Sequence, residues 1–256
     1  MADKVFDIVV NKLMKHKGKL INIQKIKDIL KTISDKELSG QKLYKTVYYL
    51  KNRGHIENLK KNIFFVKKDD KNFSKQQIID MFYRQITKKH CDQFLKSNCY
   101  IGGLKALELN LSSFSIPEEL LLVNQYKQAT EIIMFDKQIL FKTYGKQKDD
   151  GLFKFFYKLT KKIKIDKITF NIANLELALL ESLYNPSMVL TGYTNELVKK
   201  ILRNSKKNLD LSIRSQILKK NKHHTSINRL YKIAQTIDPS LSENIKNLIK
   251  KYSYFI

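Results

Sequence analysis

The side chains best placed for chemistry are amide, ammonium and phenol groups on one helical face. In "SGQKLYKTVYYLKN", at about 100° per residue, Gln41, Lys45, Tyr48 and Asn52 share a face, with Lys42 and Tyr49 on one flank. Leu43, Val47 and Leu50 fall opposite and can pack on a core. Such an outward set suits base edges and phosphates in a groove of DNA. Ser39 just ahead suits the helix cap, and it joins these residues as a candidate contact. The next stretch, "NRGHIENLKKNIFFV", adds Arg53, Lys60, Lys61 and Asn62. Adjacent lysines repel in a two-stranded hairpin, so a phosphate partner explains them better than the fold does. Asn62 occupies the place where a tight turn favours glycine, and asparagine is the next best residue for positive φ.

Catalytic sets are weaker. Glu131, Asp136 and Lys142 can be drawn into a metal-dependent nuclease scheme, yet loose acidic–lysine sets are common in so charged a chain. Asp149 and Asp150 lie in "GKQKDDG", which reads as a loop. Neither a P-loop nor a dinucleotide fingerprint is present, and "YIGGLKAL" suits a tight strand-to-helix turn. Cys91 and Cys99 make no disulfide framework. His223 and His224 are neighbours and point apart on a helix, so a shared metal is not expected. The expectation is therefore no catalytic residue, no metal and no cofactor.

The elements that must position the helical face follow from periodicity. "DKVFDIVVNKLMKH" puts Phe6, Val9, Val10 and Leu13 at helical spacing, stopped by Gly18. "KLIN" reads as a strand, Asn22 caps "IQKIKDILK", and a helix over about 40–52 leads to strands at about 55–60 and 63–67. Helix, strand, helix, helix, hairpin is the order of a winged helix-turn-helix. Beyond a polar linker, Ser74 and Gln77 form a capping box. "NCYIGGLKALELNL" reads as strand, break and helix; "ELLLVNQ", "ATEIIMFDKQILFKTYG" and "KIDKITFN" read as strands. "NLELALLESLYNP" is a helix capped by Asn174 and stopped before Pro186. Only helical patterns follow, the last with Ser240 and Glu243 as its capping box. The predicted fold class is α+β: a winged helix-turn-helix domain over 1–70, an α+β part over 71–194, and a basic helical part of the same second domain over 195–256.

The formal charge is +25 over 256 residues, with 43% hydrophobic residues. A lysine-rich, AT-rich genome would spread such charge evenly. Instead, residues 1–72 hold 18 basic and 8 acidic side chains, 73–194 hold 17 and 12, and 195–256 hold 14 and 4. Excess at both ends favours a polyanion. Lys219, Lys220, Lys222, Arg229 and Lys232, with Tyr231 beside them, form a candidate second basic surface that reads equally as solvated helix. The absence of a long apolar run and of a secretory leader predicts a cytoplasmic protein with no membrane partner.

Three stretches together resemble the AbiEi family of antitoxins from type IV toxin–antitoxin (abortive infection) systems: "LKNRGHIENLKKNIFFV", "YIGGLKALELNL" and "LELALLESLYNPS". The similarity in type and order runs over about the full length; Asn62 departs from the family's glycine in the turn. The resemblance implies an N-terminal domain that binds inverted repeats upstream of its own operon and represses it. It also implies a second domain that counters a nucleotidyltransferase-like toxin without a stable complex. Antitoxicity is implied by the resemblance alone. The alternatives are a winged-helix-targeted, metal-dependent nuclease and a transcription regulator with a sensing C-terminal domain and no toxin.

Overall fold

The computed structural model describes residues 3–33, 39–60, 62–67, 73–96, 98–125, 131–134, 137–144, 150–184, 191–204, 209–220 and 222–252. The fold is mixed α+β and divides into two compact units, Met1–Tyr83 and Arg84–Ile256.

The first unit is built in the order α1 (Asp3–Met14), β1 (Leu20–Asn22), α2 (Ile23–Lys31), α3 (Gly40–Asn52), β2 (Ile56–Lys60) and β3 (Ile63–Val66). The strands form an antiparallel sheet in the order β1-β3-β2. Local chemistry sets the boundaries. Asn22 Oδ1 accepts from the Lys25 N–H at 2.9 Å, which starts α2 directly from the strand. Gly18, at φ 73°, turns the chain after α1, and its N–H donates to Val66 O at 2.9 Å. The apolar stripes then meet: Phe6, Val9 and Leu13 of α1, Ile26, Ile29 and Leu30 of α2, Val47 and Leu50 of α3, and Ile56, Phe64 and Val66 of the sheet form one core. Burying a Leu, Ile or Phe contributes roughly 1.5–3 kcal/mol, so this core more than offsets the weak propensity of such short helices.

α4 (Lys75–Phe94) opens with the expected reciprocal cap: the Ser74 N–H donates to Gln77 Oε1 at 2.8 Å and the Gln77 N–H to Ser74 Oγ at 3.2 Å. The second unit adds β4 (Cys99–Ile101), α5 (Gly103–Asn110), β5 (Glu119–Asn124), β6 (Glu131–Met134), β7 (Lys137–Thr143), α6 (Asp150–Lys158), β8 (Thr160–Ile165), β9 (Ile168–Ala173), α7 (Leu175–Ser182), α8 (Thr191–Asn204), α9 (Leu211–Leu218), α10 (His224–Gln235) and α11 (Pro239–Lys251). The sheet order is β6-β7-β5-β4-β9-β8. β4 pairs parallel with β9, and β5 with β7; the other pairings are antiparallel. α7 is buried all round, as an apolar "LELALL" helix must be, and it packs on α5, α9 and α10.

Three local expectations are corrected. "KIDKITFN" is not one strand: Asp166 (φ 48°) and Lys167 (φ 68°) form a two-residue left-handed turn joining β8 to β9. Such primed turns match the twist of a hairpin, but usually advertise themselves with Asn-Gly. The Asp150 end of "GKQKDDG" starts α6 instead of continuing a loop, because Phe153 and Phe156 bury one side of "DGLFKFFYK"; Asp149 lies outside the described residues, as does Pro186. α11 is capped by Asp238, whose Oδ1 accepts from Ser240 N at 2.8 Å and Leu241 N at 3.1 Å, with Pro239 at the first helical position. Ser240 lies inside the helix, and Glu243 pairs with Lys246 at 3.4 Å. Among the described residues no helix is long and apolar enough to cross a membrane.

Candidate nucleic-acid interface

The outward face of α3 is held at both ends. Ser39 Oγ accepts from the Lys42 N–H at 3.3 Å. At the other end the Gly54 N–H donates to Lys51 O at 3.0 Å and the His55 N–H to Leu50 O at 2.9 Å. With Gly54 at φ 76° this is a complete Schellman stop, a conformation that favours glycine. Inward, Val47 and Leu50 are buried and Leu43 packs against the same core. Thr46 is also buried and donates its hydroxyl to Lys42 O at 2.8 Å, so it leaves no polar group unpaired there.

Outward, Gln41, Lys45, Tyr48 and Asn52 are exposed together, Tyr48 at 60%. Tyr49 goes the other way: it is half-buried and meets Phe6 edge-on at 6.3 Å. It also braces Tyr48, ring centroids 5.7 Å apart. The exposed face has a further member, Tyr44, at 67%. Its signal was in the sequence: it lies one turn before Tyr48. Lys42 is half-buried beside the cap. Arg53 lies with its guanidinium 4.5 Å above the Phe6 ring, a cation–π contact that fixes its direction at the helix end.

The hairpin places Lys60 as the last residue of β2, and Lys61 lies outside the described residues. Asn62 stands at φ 65°, and its carbonyl accepts from the Ile23 N–H at 3.1 Å. The turn is thereby tied to the first residue of α2. A β-bulge between Asn58 and Lys60 lets Leu59 turn into the core.

The second basic set separates. Lys219 and Lys220 follow α9 and Lys222 precedes α10, all exposed, as is Lys232 within α10. Lys220 lies 5.0 Å from the Phe155 ring centre. Arg229 instead points at the end of α7, donating from Nη1 to Leu183 O at 2.7 Å and Tyr184 O at 3.1 Å. It caps a helix where carbonyls would otherwise be unpaired.

Of the residues weighed for nuclease chemistry, Glu131 and Lys142 are described. Glu131 is exposed and accepts from the Gln138 amide, Asp136 lies outside the described residues, and Lys142 turns toward the interior. There it faces a buried polar cluster that sequence spacing did not reveal. Glu181 Oε1 accepts from Tyr100 OH at 2.8 Å and Tyr144 OH at 2.9 Å, and Oε2 from the Gly103 N–H at 3.1 Å. The Lys142 ammonium lies 3.8 Å from the Tyr184 ring centre and 4.9 Å from that of Tyr144. Tyr144 OH lies 3.2 Å from His223 Nε2. Burial raises the Glu181 pKa against the opposing pull of Lys142 and the hydroxyls. Burial lowers that of Lys142, and burial with Lys142 pushes His223 down to about 3. The carboxylate is engaged by three donors, which makes it a clamp joining α7 to β4, to the start of α5 and to Tyr144 just after β7. Gly102 is required here, since a Cβ on it would lie 2.4 Å from Glu181 Oε2.

No protein-family model and no curated protein matches the chain. Among the described residues no group of three or more His, Cys, Asp or Glu side chains converges on a metal site. Cys91 and Cys99 are free thiols, both buried, and the Cys91 thiol is pushed well up by its hydrogen bond to Cys99 and by burial.

Proposed function

We propose that the chain is a sequence-specific DNA-binding transcriptional autorepressor whose first unit is a winged helix-turn-helix, with α3 as the recognition helix and β2–β3 as the wing. The observation that carries this is the face of α3. Gln41, Lys45, Tyr48 and Asn52 stand exposed together on a helix locked at both ends, in a strongly basic chain. Amides and ammonium groups in that arrangement suit base edges in a major groove, with Arg53 and the lysines of the hairpin turn suited to phosphate. The element order and the β1-β3-β2 sheet support the same reading. The operator would be inverted repeats upstream of the protein's own operon. The second unit acts as the antitoxin against a nucleotidyltransferase-like toxin, supported only by the resemblance to the AbiEi family.

Binding of the full chain to its own upstream region, measured by fluorescence anisotropy against a scrambled duplex, tests the first part. Gln41→Ala and Lys45→Ala should each weaken specific binding by about 1–3 kcal/mol and narrow the gap to the scrambled duplex. Unchanged affinity for both variants would remove α3 from the interface. Growth rescue from a co-expressed toxin, retained in those same variants, tests the second part.

A further inference from the structure

Within residues 73–194 the basic surplus is concentrated in one short stretch. Residues 73–194 hold 17 basic and 12 acidic side chains; six of those lysines and one aspartate fall within 154–167, leaving eleven of each sign elsewhere. The stretch runs from α6 through β8 into the Asp166–Lys167 turn. Lys158, Lys161, Lys162, Lys164 and Lys167 are all exposed, and among the described residues none of these five is in an ion pair. The one acid, Asp166, is engaged by the guanidinium of Arg84. Lys162 and Lys164 lie on one face of β8, opposite Asn171 and Thr169 of β9, about 6.8 Å apart from two strand rises. Five neighbouring like charges with no countercharge raise the free energy of the folded state, and a polyanion relieves that cost.

We propose that β8 and its flanking turns form a second nucleic-acid surface, one that grips the phosphodiester backbone without reading sequence. It stands independently of the α3 reading. The competing explanation is that edge-strand lysines block strand-to-strand association. The sheet argues against it. β6, the other edge, carries a single charged residue, Glu131, and leaves Ile133 66% exposed. Edge protection also gives no role to Lys158 and Lys167, which lie outside the strand.

The test uses the full chain with Lys161, Lys162, Lys164 and Lys167 changed together to Gln. Binding to a duplex of unrelated sequence and to a single-stranded RNA is followed by anisotropy from about 50 to 200 mM salt. The expected result is a shallower dependence of log affinity on log salt, by about 0.9 per lost contact on duplex and about 0.7 on a single strand. Which probe shows the loss identifies the source of the backbone. Changing the same four lysines to Arg should restore the parent slope. Parent-like slopes on both probes would overturn the proposal, and so would parent-like slopes accompanied by new oligomers, the mark of edge protection. The operator-to-scrambled ratio should not move in the Gln variant, whereas failure of the α3 reading appears only in that ratio.

Discussion

His223 shows how position decides the behaviour of a residue. It is buried at φ 66°, ahead of α10, with Tyr144 OH on its ring and Lys142, Lys222 and His224 contributing nearby positive charge. Burial and those cations hold its pKa near 3, against 6.5 for the ordinary group. The folded state therefore binds the proton more weakly than the unfolded chain does. Stability from this residue is complete above pH 6.5 and is lost as pH falls toward about 3, at about 1.4 kcal/mol per pH unit within that window. Urea midpoints at pH 7, 6 and 5 for the parent and His223→Asn check this, since asparagine tolerates the left-handed backbone and does not titrate. The variant should lose stability less steeply on acidification; parallel curves would mean that His223 titrates alike in both states. Carboxylates remote from the His223–Tyr144–Glu181 chain contribute equally to both proteins and cancel in the comparison.

Elements whose boundaries depend on neighbours in sequence were legible, and those that depend on distant partners were not. Asn22, Ser39, Asn174 and the Ser74–Gln77 pair all cap the helices expected of them, because a cap involves residues within one turn. The inward and outward faces of α3 followed from the helical period, and Tyr44 was within reach of the same count. The Asp166–Lys167 hairpin was missed because no glycine marks it, and the polar start of α6 hid its aromatic side. The Glu181 cluster was illegible for a different reason: its donors lie 37 to 81 residues away. Among the elements, the β2–β3 turn offers a direct check on backbone reasoning. Asn62→Gly should be neutral or stabilising by a few tenths of a kcal/mol, whereas Asn62→Val should cost roughly 1–3 kcal/mol, since a branched side chain resists φ 65°. Thermal melts of both variants measure it; equal melting temperatures would mean that the turn relaxes without cost.

For the whole molecule, the two proposed surfaces lie on different compact units, α3 on Met1–Tyr83 and β8 on Arg84–Ile256. Their effects on operator binding should then add. A variant combining Lys42→Ala and Lys45→Ala with the four β8 substitutions should lose as much salt slope as the two separate variants lose together. A combined loss no greater than the larger single loss would mean that one duplex never engages both surfaces. Composition pointed to the polyanion from the start, but segment totals concealed the β8 stretch, because balanced charge on either side of it diluted the surplus.

The Glu181 clamp also imposes an order of events during synthesis. Glu181 follows the Gly103 amide it accepts from by 78 residues. At about 5–20 residues per second a ribosome takes roughly 4–16 s to cover that interval. Throughout it, the Gly103 amide and the Tyr100 hydroxyl have no carboxylate to meet, while residues 1–83 are already outside or passing through the exit tunnel. The first unit can thus finish folding on the nascent chain well before the second can close, and a transcript still being translated already carries a completed α3.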